Sequence, residues 1–164
     1  ALSTVQGHIA QLTEAGALIA RCDVPLNLPQ GHYISPHVFQ ISSIRELKRE
    51  VFGPVVHVIR YRQADLPKVV EEINQSGYAL TLGIHSRVDG FARQIFCATR
   101  AGNTYVNRNI VGAVVGVNPF GGQGLSGTGP KAGGPNYLPR FAVERTWTDN
   151  VVAKGGNTDL FTLS

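Results

Sequence analysis

Leu2, Val5, Ile9 and Leu12 recur at helical spacing and Gly16 follows as a stop, so the chain is expected to open on an amphipathic helix. Ala17 to Ala20 then reads as a short strand, and Asp23 to Gly31, with its two prolines, as loop. Tyr33 to Ile41 is rich in β-formers, with Pro36 marking an edge or irregular strand. Ile44 to Arg49 is a short polar helical turn and Val55 to Tyr61 a strand. Asp65 is placed to cap a helix running through Asn74, with Pro67 tolerated in its first turn and Gly77 just past its end. Ala79 to His85 is the next strand, Asp89 to Arg100 the next helix, and Thr104 to Asn107 a further strand after Gly102. Strand, helix, strand, helix, strand at this spacing makes two crossover units. It predicts an α/β fold: a parallel sheet with covering helices.

The pattern breaks at Asn118 to Pro135, where seven of eighteen residues are Gly and three are Pro. Neither a helix nor a central strand survives that composition. Phe120, Leu125 and the nearby Tyr137, with little charge, argue for an ordered loop that brings bare backbone close to something. Ile110 to Val117, just before it, is apolar and interrupted only by Gly112 and Gly116. Beyond the loop, Ala142 to Val152 reads as extended, with Val143, Thr146, Trp147, Thr148, Val151 and Val152. There is no internal repeat and no second domain.

Composition narrows the function classes. The 164 residues suffice for one domain, and 43% hydrophobic with 16% charged residues describes a globular chain. No apolar stretch approaches the roughly 20 residues of a membrane helix. The net charge of +4 is scattered, with small clusters at Lys48-Arg49 and at Arg60 and Arg62 and no interleaved aromatics, so a solvated surface explains it better than nucleic-acid binding. Cys22 and Cys97 stand far apart without CxxC spacing, which argues against a disulfide scaffold or zinc site and suits a reducing cytoplasm. The chain begins within a helical pattern with no lead-in, as a piece of something longer would.

Candidate chemistry is sparse. The glycine-rich loop is no P-loop, because Pro130 precedes Lys131 and Ala132 stands where a hydroxyl residue is needed. Gly122, Gly124 and Gly127 lack the flanking strand and helix of a dinucleotide loop. His8, His32, His37, His57 and His85 share no metal-ligand spacing. Cys97, beside Phe96 in a helix, suits a buried inert thiol, and Cys22 has no partner histidine. Glu50, set before Phe52-Gly53-Pro54 at the mouth of the Val55 strand, has two readings. It is a carboxylate able to accept hydrogen bonds from a ribose diol, or simply a solvated charge ending a polar turn.

Five ordered segments change that balance: Glu50 to Pro54, Gly77-Tyr78-Ala79-Leu80, Ala101 to Asn107, Pro119 to Gly122, and Ser126-Gly127. Their order and separations resemble the C-terminal portion of the aldehyde dehydrogenase superfamily over essentially the whole chain. Asn107 to Gly116, Gly124 to Pro135 and Lys154 to Asn157 narrow this. They resemble the L-glutamate γ-semialdehyde (pyrroline-5-carboxylate) dehydrogenase module of bacterial bifunctional proline-utilisation flavoenzymes.

The resemblance implies NAD-dependent oxidation of the semialdehyde to glutamate; FAD would belong to another module with no counterpart here. It implies that residues 1–141 are part of the catalytic domain and 142–164 an extended oligomerisation strand and tail. A homo-oligomer would then form through Val143 to Val152. Glu50 resembles the glutamate that binds the nicotinamide ribose, with Phe52 packing nearby. Gly112 and Ala113 resemble the backbone anchor for the substrate carboxylate, and Phe120 an aromatic wall of the aldehyde pocket. In the family a cysteine attacks the aldehyde and a glutamate activates the hydrolytic water. Neither Cys22 nor Cys97 matches that nucleophile's motif, so no residue here is assigned to catalysis and the 164 residues alone are expected to be inactive. The alternative is a non-catalytic, self-associating module of the same family.

Overall fold

The structure, a computed structural model, describes residues 1–25, 27–150 and 152–155. Helix α1 (Leu2–Glu14) buries Val5 and Leu12 and ends as its sequence predicts. Gly16 takes the left-handed conformation at φ 71°, its N–H reaches the Thr13 carbonyl, and the Ala17 N–H reaches that of Leu12. That double bond pattern closes a helix C-terminus and fits glycine best.

The chain then builds β1 (Leu18–Arg21), β2 (His37–Gln40) and β3 (Val55–Val58), ordered β1-β2-β3 in one sheet. β1 runs antiparallel to β2, and β2 parallel to β3. Phe39 is completely buried between this sheet and α1, in a core with Leu12 and Ile41 that Ile9, Leu18, Leu47 and Val55 close off. Burial of such side chains contributes about 1.5–3 kcal/mol each. The β2-to-β3 crossover includes a 3₁₀ turn, Ile44–Glu46, fixed by local caps. Ser43 Oγ accepts from the Arg45 N–H, and Glu46 Oε1 accepts from the N–H groups of Ser42 and Ser43.

Helix α2 (Leu66–Gln75), strands β4 (Tyr78–Ala79) and β5 (Thr81–Ile84), helix α3 (Asp89–Ala98) and strand β6 (Asn103–Val106) follow. β5 and β6 pair in parallel, and α3 is their crossover. Ile84, Ala92 and Ile95 form a second core beneath Leu66, Val70, Leu82 and Phe91. Strand β7 (Gln123–Gly124), from the glycine-rich loop, pairs antiparallel with β4. The loop is therefore ordered, as its apolar residues predict.

Several expectations need correction. The single parallel sheet is three small sheets, and only the second of the two crossover units brings its strands side by side. β3 takes β2 as its parallel partner; that crossover carries no α-helix, so helical periodicity gave no sign of it. Asp65 sits at the α2 N-cap but its carboxylate makes no capping bond, because the chain enters through the 3₁₀ turn Gln63–Asp65. Asp89 is inside α3, where a first-turn acid favours the helix dipole, and Val88 holds the cap position. Cys97 is exposed, not buried; it lies on the outer side of α3 with Phe96. Residues 142–150 carry no strand: a strand requires a bonded neighbour, and no described strand pairs with them. Val151 and residues 156–164, including Gly156 and Asn157, lie outside the described residues.

His8 on α1 and His57 on β3 meet through their Nε2 atoms at 2.8 Å, with the rings edge-on. Such a bond needs one ring neutral, as acceptor. Both pKa values lie below the ordinary 6.5, chiefly through desolvation; Arg49 adds to this at His8, and His8 at His57. The unfolded chain therefore takes up protons first as pH falls. The pair's contribution to stability is complete above about pH 6.5 and declines as pH drops through the depressed values. The thermal midpoint is expected to fall between about pH 7.5 and 5.5, and to fall less in His57→Leu. An undiminished pH dependence in that variant, followed by circular dichroism, would exonerate the pair.

Candidate cofactor and substrate site

The residues singled out from sequence separate into two hollows. Glu50 and Phe52 lie on the link between the 3₁₀ turn and β3, at the rim of a cleft of about 700 Å³. His57, Leu80, Leu125 and Ser126 also line it. Gly53 permits this placement, because a Cβ there would stand 2.8 Å from the Val5 side chain on α1. Glu50 is exposed and makes no hydrogen bond or ion pair with the described residues. Its two oxygens are thus acceptors without an internal claim on them. Phe52 is 81% exposed.

Ala113 and Phe120 share a second, apolar hollow of about 370 Å³, with Val114, Val117 and Ala132. Gly112, the residue before Ala113, is buried. The Gly112 carbonyl accepts from the Tyr105 hydroxyl at 3.2 Å and from the Val114 N–H at 3.1 Å. The N–H groups of Gly112 and Ala113 donate to no acceptor among the described residues. Gly112 admits no side chain, since a Cβ would collide with the Tyr105 ring and hydroxyl. Arg108 packs over the same ring at 4.6 Å and reaches the Val111 carbonyl at 3.4 Å. Phe120 is fixed by a two-bond bridge to Ala132, both bonds 3.0 Å.

The residues that hold this end were not found from sequence. Asn103 is buried on β6; its amide donates to the Pro119 carbonyl at 2.9 Å and accepts from the Gly121 N–H at 3.1 Å. Lys131 Nζ bonds the Gly102 carbonyl beside it. Ser126 Oγ accepts from the Ala79 N–H at 3.0 Å, tying the loop to β4. An alternating strand does place residues 103 and 105 on one face, but pattern alone gives no partner in a distant loop. The paired histidines, 49 positions apart, were missed for the same reason. No group of three metal-ligating side chains occurs among the described residues, and no described helix is long and apolar enough to cross a membrane.

The profile of the aldehyde dehydrogenase family matches residues 1–147. The chain belongs to that family. It is 58% identical over 115 residues to the bifunctional protein PutA of Klebsiella aerogenes, covering 70% of this chain and 9% of the relative. It is 37% identical over 111 residues to a 1-pyrroline-5-carboxylate dehydrogenase of Bacillus subtilis, covering 66% and 21%. A crystal structure of Bradyrhizobium japonicum proline utilization A superposes with a TM-score of 0.84 at 48% identity, over 93% of this chain and 15% of that one. The 1-pyrroline-5-carboxylate dehydrogenase from Thermus, solved with bound NAD, superposes at 0.73 and 36% identity, over 85% and 27%. The chain thus spans between about a tenth and a quarter of these relatives' lengths.

If Glu50 receives a ribose diol, Glu50→Ala in a full-length enzyme carrying this segment should raise the KM for NAD or slow turnover about tenfold, since hydrogen bonds to a carboxylate are the strong kind. Circular dichroism should not change. Unaltered NAD kinetics would return Glu50 to the solvated charges.

Proposed function

We propose that these residues form the C-terminal part of the catalytic domain of an NAD-dependent L-glutamate γ-semialdehyde dehydrogenase, the enzyme that yields glutamate in proline catabolism. The observation that carries this reading is the second hollow. Its lining includes Ala113, whose N–H, like that of the buried Gly112 before it, has no acceptor among the described residues, beside an apolar wall made by Phe120. That combination suits a ligand with an anionic end and an aliphatic body. The kinship with PutA and 1-pyrroline-5-carboxylate dehydrogenases supports the same substrate class.

NAD fits the first hollow by the chemistry of its lining. Glu50 would accept from the nicotinamide ribose hydroxyls and Phe52 would cover the adjoining apolar surface; the cofactor, when bound, supplies the hydride acceptor. This chain's own part is to hold both ligands and to keep water from the apolar side. The nucleophile belongs to the remainder of the catalytic domain. Cys22 and Cys97 are free, exposed thiols, compatible with a reducing cytoplasm.

The test is selectivity. Ala113→Leu should crowd the anchor and lower kcat/KM for glutamate semialdehyde about tenfold more than for a short neutral aldehyde such as propanal. Equal losses for both would refute an anchor.

A second reading concerns assembly. Val143 and Trp147 are 86% and 89% exposed, and Leu138 and Phe141 precede them in the open. Exposed apolar surface of this kind marks an association site. We infer that the segment from Val143 to Val152, of which Val151 lies outside the described residues, docks as a strand on a second copy, giving a homo-oligomer. Light scattering should find the chain larger than a monomer at micromolar concentration, and a chain ending at Arg140 should be smaller. An unchanged mass on truncation would contradict it.

A further inference from the structure

The mouth of the substrate hollow is set by one strand. Residues 103 and 105 of β6 point to the same side, their Cα atoms about 6.6 Å apart. Both are buried, and both spend their polar atoms on loops rather than on the sheet. Asn103 grips Pro119 and Gly121, the residues on either side of Phe120. Tyr105 grips the carbonyl of Gly112, the residue whose N–H, with that of Ala113, is read above as the anchor. Arg108, stacked on Tyr105, keeps the ring from swinging away.

We propose that Tyr105 and Asn103 are positioning residues that fix the reach between the carboxylate anchor and the aromatic wall, and thereby the chain length of the carboxylated aldehyde accepted. This rests on reading Gly112 and Ala113 as the anchor. Neither side chain touches substrate. Each acts through the loop it holds: Tyr105 through the anchor peptide, Asn103 through the backbone that carries Phe120. A strand is a stiff spacer, so two loops hung from adjacent same-face positions keep a constant separation, whereas two free loops would adapt to ligands of different length.

The experiment uses a full-length enzyme carrying this segment and compares succinate, glutarate and adipate semialdehydes with neutral pentanal. The unaltered enzyme should prefer glutarate semialdehyde over its shorter and longer homologues and over pentanal. Tyr105→Phe keeps the ring and the Arg108 contact and loses only the hydroxyl. It should raise the KM for glutarate semialdehyde about tenfold, flatten the length preference, and leave kcat for pentanal and the KM for NAD unchanged. Asn103→Ala should flatten the length preference too, with pentanal also affected through Phe120. A retained length preference in Tyr105→Phe, or equal losses for pentanal and NAD, would overturn the proposal and leave Tyr105 a structural residue. An unaltered enzyme with no preference for the carboxylated aldehydes over pentanal would instead defeat the anchor reading, and this proposal with it.

Discussion

The glycine-rich loop of this chain depends on the buried amide of Asn103. A loop with seven glycines in eighteen residues has almost no side chains with which to pack, and its backbone is costly to order. It is held instead by polar bonds, and Asn103 satisfies both sides of its amide on that loop while sitting in a hydrogen-bonded strand. A buried amide left without partners costs about 1–3 kcal/mol, so strand and loop are stable only together. Lys131 and the Phe120–Ala132 bridge complete the clamp. Glycine is required where backbone meets backbone: a Cβ on Gly122 would lie 2.6 Å from the Ser126 carbonyl oxygen.

From this clamp the two hollows follow. β5 and β6 supply the rigid base, α2 and α3 cover it, and the returning loop reaches β4 through β7. The Glu50 link is carried by the other sheet, whose core is Phe39. Two small cores separated in this way let the two hollows be set by different elements.

Much of the architecture was legible in the sequence because local rules decided it. Helix α1 announces itself through Leu2, Val5, Ile9 and Leu12, and Gly16 and Gly77 stop their helices with positive φ. The ordered glycine loop was legible from its few aromatics. Strand pairing was not, because β-rich segments do not name their partners: β3 chose β2 across a crossover with no α-helix, and residues 142–150 found no described strand. Of the candidate site, Glu50, Phe52, Gly112, Ala113 and Phe120 are proposed from a family resemblance that ordered motifs carry. Asn103 and Tyr105 could not, because their roles exist only once residues 112 and 119–121 fold back over β6.

The central claim is that the anchor is the peptide at Gly112 and Ala113. A crystal structure of a full-length enzyme carrying this segment, soaked with the product glutamate, tests it most directly. The account places the α-carboxylate within ordinary hydrogen-bond distance, about 2.7–3.2 Å, of both N–H groups, with the side chain running past Phe120. A glutamate bound with its α-carboxylate on other donors, and those two N–H groups turned away from it, would contradict the account.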